Sequence, residues 1–221
     1  TGIVTVPAMS SITVGVMVEV DGSLSTNNGE TIGVMLTDVT TDGGSVSGLP
    51  LSGAPMTVVP APSGMATVSF NSANAIPTSS SGIDPQADYV VWQSTVSVNS
   101  RDVLVSSLRF RQLGSVSAGD LKNFRLMVDG VQVGTAVDMV NSNQYVEFTF
   151  ASPVTLKSGA RTVKLLADIV GGSNKNFGFS IQQSVDAMFW DSQLAVVIAP
   201  LVANSSFTTV SSATQTINQG T

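Results

Sequence analysis

The sequence predicts an all-β protein whose main domain is an antiparallel β-sandwich. The central observation is that five segments alternate apolar and polar residues and are separated by turn signals. Side chains on a strand point to opposite faces with a period of two, so each segment has one apolar face to bury. Repetition of this pattern at short spacing is typical of antiparallel sandwiches. The five segments are Ala87–Val98, Asp102–Arg111, Asn123–Val128, Tyr145–Phe150 and Arg161–Ile169.

The turn signals and the alternation also predict which side chains face the core. Asp129-Gly130 is typical of a type I′ hairpin turn, because both central positions of that turn need positive φ. No segment predicts a helix longer than one turn. The predicted core-facing residues are, segment by segment, Val90, Trp92, Val96 and Val98; Leu104, Leu108 and Phe110; Phe124, Leu126 and Val128; Val146, Phe148 and Phe150; Val163, Leu165 and Ile169; and, in two later predicted strands, Phe177, Phe179, Ile181 and Val185 of Asn176–Val185, then Leu194, Val196 and Ile198 of Gln193–Ala199.

Turn-rich stretches divide the chain into three predicted regions. Residues 1–64 form an additional small N-terminal β region, which contains a predicted strand at Thr31–Val39 and ends in a Pro-bearing connection. Residues 65–200 form the sandwich. Residues 201–221 carry no charge and are rich in Ser and Thr, which fits a last edge strand, a flexible tail, or the segment swapped between subunits in place of the N-terminus.

The composition favours a protein that packs against other molecules. Charged residues make up 11% of the 221 residues, about half the usual share, whereas apolar residues make up 43%. Ser, Thr, Gly, Asn and Gln replace the charges, which suits contacts between copies and also suits an extracellular face. No run approaches the roughly 20 apolar residues of a membrane span, so we expect neither a membrane span nor a type IV pilin.

The residue types exclude several kinds of chemistry. The sequence has no Cys and no His, which removes thiol catalysis, Cys/His zinc sites and a Ser-His-Asp triad. No phosphate-binding glycine loop or nucleophile elbow is present. We therefore expect no enzyme, no catalytic residues, no cofactor and no metal. The pairs Asp38 with Asp42 and Asp186 with Asp191 match no calcium-loop spacing, so we interpret them as turn acids.

Charge is unevenly distributed along the chain. Residues 1–100 hold seven acids and no base, residues 101–175 hold nine bases and six acids, and residues 176–221 hold two acids, giving −7, +3 and −2. An acidic part and a mildly basic part could favour head-to-tail contacts between subunits, or the charges could be scattered without consequence. A balance of +3 is too small for a nucleic-acid interface.

Within the N-terminal stretch 3–20, the segment Ser11–Val20 has the cleanest alternation in the chain. One interpretation is an ordinary strand in the protein's own sheet. The other is a donor strand that completes the sandwich of a neighbouring subunit, supplying ladder hydrogen bonds while its alternate side chains fill an apolar groove. The side chains that would fill the groove are Ile12, Val14, Val16, Val18 and Val20.

Three further residues are candidates for recognition or modification. Trp92 could stack on a sugar, but it lies on the apolar face of its predicted strand, so we expect it in the core. Trp190 could contribute to an exposed contact patch. Asn204 begins Asn204-Ser205-Ser206, which is the one N-glycosylation sequon in the chain and makes covalent glycans a candidate partner.

Three strand-and-turn motifs carry a resemblance to a known family. Val103–Phe110, Leu121–Gly130 and Arg161–Ile169 together resemble the Ig-like β-sandwich repeats in secreted surface-layer or filament proteins of candidate-phylum bacteria. The resemblance covers about residues 66–200 and leaves 1–64 unmatched. It implies an Ig-like sandwich and an extracellular structural role, and it transfers no functional residues.

These observations favour a structural subunit of an extracellular filament or surface layer. We expect it to polymerise with itself by β-strand complementation between subunits. The first residue is Thr1 and not Met, which suggests removal of a leader and fits secretion to the cell surface. The alternative is an adhesin or a carbohydrate-binding module, and a third interpretation is a virion capsid or appendage subunit.

Overall fold

The computed structural model describes residues 6, 14–16, 29–42, 44–58 and 65–219. The chain divides into two compact units, Thr1–Ser63 and Gly64–Thr221. The division falls within the turn-rich stretch, where Pro, Gly and Ser offer few side chains that could pack into either unit.

The described part of the N-terminal unit contains four very short strands, β1 (Thr31–Ile32), β2 (Met35–Leu36), β3 (Leu51–Ser52) and β4 (Met56–Thr57). β1 pairs with β4 and β2 pairs with β3, both antiparallel. The prediction of one strand over residues 31–39 was wrong, because the pairing breaks after Ile32 and resumes at Met35. None of the described residues of this unit is buried.

The second unit is built from fifteen strands in its described part, with one 3₁₀ turn at Ser184–Asp186. The strands are β5 (Thr67–Phe70), β6 (Asn74–Ala75), β7 (Gly82–Ile83), β8 (Tyr89–Asn99), β9 (Val103–Gly114), β10 (Leu121–Val128), β11 (Val131–Val137), β12 (Tyr145–Leu156), β13 (Gly159–Ile169), β14 (Asn176–Ile181), β15 (Ala187–Asp191), β16 (Val197–Ile198), β17 (Leu201–Val202), β18 (Val210–Ser212) and β19 (Gln215–Ile217).

Two sheets form the sandwich, and most of their pairings are antiparallel. The first has the order β11-β10-β13-β8-β5-β17. In the second, β9 pairs with β12 on one side and with β15 and then β14 on the other; β15 continues to β16, and β14 continues to β18 and β6 and also pairs with β19, which pairs with β7. This arrangement confirms the predicted all-β sandwich.

The core between the sheets is dominated by aromatic rings and branched side chains. The Trp92 ring lies 5.0 Å from the Phe110 ring and 6.3 Å from the Phe70 ring, centroid to centroid, both edge-on. Phe124 and Phe179 make a similar contact at 5.6 Å. Because the chain has no disulfide, this dense apolar packing carries the stability of the fold.

Bulges shift some of the predicted core faces by one residue. Val91 is buried as well as Trp92, while Val90 is only half-buried, because the pairing of β8 with β13 slips between them. In β9 the extra residue Ser106 turns Val103 and Val105 inward, so the prediction that Leu104 faces the core was wrong. In strands that carry no extra residue of their own the prediction was correct, as at Val163, Leu165, Phe177 and Phe179. It was also correct at Phe124 and Leu126, although the pairing of β10 is irregular there.

The predicted strand over Gln193–Ala199 is a turn followed by the two-residue strand β16. Of its three predicted core residues, Leu194 and Val196 are exposed and Ile198 is buried. The prediction that Val185 faces the core was also wrong: β14 ends at Ile181, and Val185 lies exposed in the 3₁₀ turn that follows. The hairpin at Asp129-Gly130 was predicted correctly: both residues have positive φ, +49° and +84°, and Val128 pairs with Val131 across the turn.

The C-terminal residues form strands. β17, β18 and β19 run parallel to β5, β6 and β7 respectively, so the segments 67–83 and 201–217 lie side by side. Of the three interpretations of residues 201–221, the described part agrees with strands of the chain's own sandwich.

Candidate functional site

Most of the large apolar side chains in the described part of the N-terminal unit are exposed. Every residue of the buried core lies in the second unit, beginning at Ala66. Water-exposed apolar surface of this extent is unfavourable for a free chain and typical of a surface that a partner covers. The exposed large apolar residues described in this unit are Val6, Val14, Val16, Val34, Met35, Leu36, Val39, Val46, Leu51 and Met56.

The predicted donor strand lies mostly outside the described residues. Ile12, Val18 and Val20 belong to that part, as do most positions of 3–20. Val14 and Val16 are described, and their exposed fractions are 72% and 69%. These two side chains of the predicted apolar face are therefore unburied in the chain itself, which leaves them available to another molecule.

One side of the sandwich is formed by the edge strands β11 and β12. Both pair with a neighbour on one side only among the described residues. Phe150 of β12 reaches across to β11, where a Cβ on Gly134 would lie 2.8 Å from its Cε1 atom. The two sheets therefore touch at this point.

An apolar crevice opens beside that contact. We call the half-buried side chains of Val128, Val133, Phe150 and Val154 the rim crevice. Together with buried core residues such as Leu126 and Phe189, they line an apolar void of about 10 Å³, roughly the size of one water molecule. Val131 shares the inward side of β11 with Val133, yet 67% of its surface is exposed. The described chain therefore leaves most of this apolar side chain uncovered.

The acidic pairs considered as calcium ligands serve other roles. The buried Asp186 carboxylate accepts from Arg109 Nη2 at 2.6 Å through Oδ1 and from the backbone N–H groups of Gln182 and Gln183 through Oδ2. Asp38 accepts from the backbone N–H of Val39. Within the described residues no group of three or more acidic side chains is placed to hold a metal ion.

A cluster of charges ties strands together on the outer face of the first sheet. Arg125 contacts the carboxylates of Asp168, at 2.7 Å, and Asp88. A hydrogen bond from the backbone N–H of Asp88 and one from the Asn123 amide lower the pKa of Asp168, with a further contribution from the Arg125 charge. The cluster is fully partnered, so its role is to fix strands β10 and β13 to the loop before β8.

The aromatic residues offer no flat exposed surface. All nine Phe, two Tyr and two Trp residues lie within residues 65–219, and each is buried or half-buried. Trp92 is in the core, as predicted, and its Nε1–H donates to the Val210 carbonyl at 3.2 Å. Trp190 is half-buried on the outer face, where its Nε1–H donates to Ser106 Oγ. Sugar-binding platforms normally present an open aromatic face, which these residues lack.

Asn204 lies in an exposed turn after β17. Its φ is +58°, and its backbone N–H donates to Ser69 Oγ at 3.0 Å. Its side chain is exposed, so a glycan there would meet solvent.

Comparisons with known proteins give no further guide. No protein-family model matches the sequence, and no curated protein matches it significantly. In the part of the chain that the structure describes, no helix has the length and hydropathy that a membrane crossing requires.

Proposed function

We propose that this chain is the structural subunit of an extracellular filament or surface layer, and that subunits join by β-strand complementation. The observation that supports this most is the contrast between the two units. The second unit has a dense core, whereas the described part of the first exposes most of its large apolar side chains and buries none of its residues. Burying that apolar surface against a neighbouring subunit would stabilise the assembly through the hydrophobic effect.

The N-terminal segment is suited to complete a neighbour's sheet. An added strand gains main-chain hydrogen bonds, and its alternate side chains gain burial. Val14 and Val16 are exposed and lie on the predicted apolar face with Ile12, Val18 and Val20. Branched side chains favour the extended conformation, so ordering this segment costs less entropy than ordering a flexible one.

The composition of the sequence supports the proposed extracellular location. A surface rich in Ser and Thr and poor in charge is compatible with close packing of many copies, because few charges need to be desolvated at each contact. Asn204 is the proposed position for an N-linked glycan, since it lies in an exposed turn of the sandwich. The carbohydrate-binding alternative is disfavoured, because none of the described aromatic residues is fully exposed.

The test compares two doubly substituted chains with the unmodified protein. Val14→Asp with Val16→Asp places charge on the predicted apolar face; Thr13→Asp with Met17→Asp places the same charge on the opposite face. Because a buried, unpaired carboxylate is costly, we expect the first variant to remain monomeric and the second to polymerise. Analytical ultracentrifugation and negative-stain electron microscopy distinguish the two outcomes. An unmodified protein that remains monomeric at high concentration would contradict the proposal.

A further inference from the structure

We infer that the acceptor for the donated strand is the free edge of β11, together with the rim crevice, on a second copy of this chain, and that residues 12–20 occupy it. This rests on the proposed function and adds the position at which two copies join. It follows from the way the edges of the sandwich are protected.

Edge strands attract other strands unless something blocks them, and proteins block them with short length, proline, charge or bulges. β16, β17, β6 and β7 each have two residues. β12 is longer but contains Glu147 and Pro153, and its pairing with β9 is interrupted between Thr149 and Val154. These edge strands are therefore poor sites for pairing with a strand from another chain.

β11 lacks most of these protections. Its seven residues, Val131–Val137, include no charge and no proline. Its pairing with β10 is irregular between Val133 and Val137, but Val131, Gln132 and Val133 pair in regular register. Since successive residues of an antiparallel strand point their backbone groups to alternate sides, Gln132 is placed to pair with an added strand.

The side-chain surface next to this edge is apolar as well. A strand added beside Val131–Val133 would place every second side chain over Val131 and the rim crevice. The present chain leaves Val131 two-thirds exposed there. The predicted donor face presents five branched apolar side chains with the same period of two. The edge and the donor are therefore matched in both hydrogen bonding and burial.

Charge favours the N-terminal region of a copy of this chain as the donor, because it is complementary to the acceptor region. The donor belongs to a region, residues 1–64, that holds five acids and no base. The acceptor belongs to residues 101–175, which hold nine bases and six acids. Attraction between these regions brings copies together in one orientation, whereas like regions repel.

The test uses the absence of cysteine. Chains carrying Val16→Cys are mixed with chains carrying Val131→Cys under assembly conditions and oxidised, and the products are separated without reductant. Two residues on one face of adjacent strands are within disulfide reach, so we expect a disulfide-linked heterodimer. Val14→Cys is used in a parallel mixture. Val14 is the neighbouring side chain on the same face, so it lies opposite Val131 when the added strand pairs in a register shifted by two residues. Val197→Cys, on the exposed edge strand β16, is the matched control and should give little cross-linking.

Charge at the same position gives a second readout. Val131→Lys should raise the concentration needed for assembly more than about tenfold, since it buries an unpaired ammonium group in the contact. Val197→Lys should leave assembly unchanged. Because Val131 is mostly exposed, circular dichroism and thermal unfolding should show that Val131→Lys remains folded.

The outcomes separate this inference from the proposed function. Polymers that assemble normally with Val131→Lys, or that cross-link through Val197→Cys and not Val131→Cys, overturn the acceptor while leaving polymerisation intact. A disulfide formed within one chain that carries both Val16→Cys and Val131→Cys also overturns it, because the occupant is then the chain's own N-terminus. Absence of any polymer overturns both.

Discussion

The Oδ2 atom of Asp191 accepts a hydrogen bond from the backbone N–H of Ala66 at 2.9 Å, although 125 residues separate them. Oδ1 of the same carboxylate accepts from the backbone N–H groups of Gln193 and Leu194, both at 2.9 Å. Asp191 is fully buried, with Arg101 Nε 3.7 Å from Oδ2. One carboxylate thus fastens the start of the sandwich to the end of β15 and shapes the turn that follows.

Asp191→Asn should destabilise the second unit by about 2–3 kcal/mol, because an amide presents an N–H₂ group to at least one of the backbone donors and removes the charge that strengthens these bonds. Urea unfolding followed by tryptophan fluorescence measures the change. Asp84→Asn is the control: this exposed carboxylate accepts from the Asn218 side chain and should change stability little. Equal effects of the two substitutions would contradict the role given to Asp191.

Stability should fall in acid because several carboxylates have lowered pKa values in the folded state. Burial raises the pKa of Asp191, but hydrogen bonds from backbone N–H groups and the Arg101 charge together lower it by a larger amount, so the net shift is downward. The backbone N–H of Thr162 lowers the pKa of Asp129, and Arg161 adds to this. For Asp120, burial is outweighed by the Ser117 N–H and by Lys175.

A lowered folded pKa contributes stability that is complete above the unfolded value, about 3.9, and is lost as the pH falls through the folded value. We therefore expect a stability plateau above about pH 5 and a steep decline below about pH 4, measured as urea midpoints across this range. Asp168→Asn should reduce the slope of unfolding free energy against pH in this range, by an amount equivalent to less than one bound proton. Stability that rises on acidification would show that the signs are wrong.

Gly134→Ala should destabilise the β11–β12 side of the sandwich. Gly134 has a φ of +70°, and its new Cβ would meet the Phe150 ring. Gly130→Ala has similar backbone strain, with a φ of +84°, and no atom within 4 Å. The difference between the two variants therefore isolates the contact, and we expect Gly134→Ala to cost about 1–3 kcal/mol more. Phe150→Leu in the Gly134→Ala background should recover part of the loss in thermal unfolding.

Proteolysis should distinguish the two units and report assembly. A protease that cleaves after small apolar residues should cut the unassembled chain first within residues 29–58, because backbone without buried side chains opens easily. Assembly should slow that cleavage more than about tenfold if it orders the region. Trypsin is the control, since residues 1–100 contain no Lys or Arg and its cleavage reports the sandwich alone. Unchanged cleavage on assembly would mean that the N-terminal unit remains uncovered.

The sequence determined the features that depend on local pattern. Alternation in strands without an extra residue predicted the sandwich and correctly placed Val163 and Phe177 in its core, because a strand's period of two needs no knowledge of its neighbours. Asp129-Gly130 predicted its hairpin because positive φ is a property of those residue types. The apolar N-terminal alternation likewise indicated the candidate donor.

The tertiary structure decided which residues face inward after a bulge and which edge remains open. Val91 and Ser106 are the extra residues of bulges that form only when particular strands pair, so alternation alone assigned Val90 and Leu104 to the wrong environment. The free edge of β11 depends on which strands lie beside it, as does the pairing of Asp191 with Ala66. The side-chain pattern depends only on the order of residues along the chain. Edges, bulges and long-range hydrogen bonds depend on which segments become neighbours, and only folding brings those segments together.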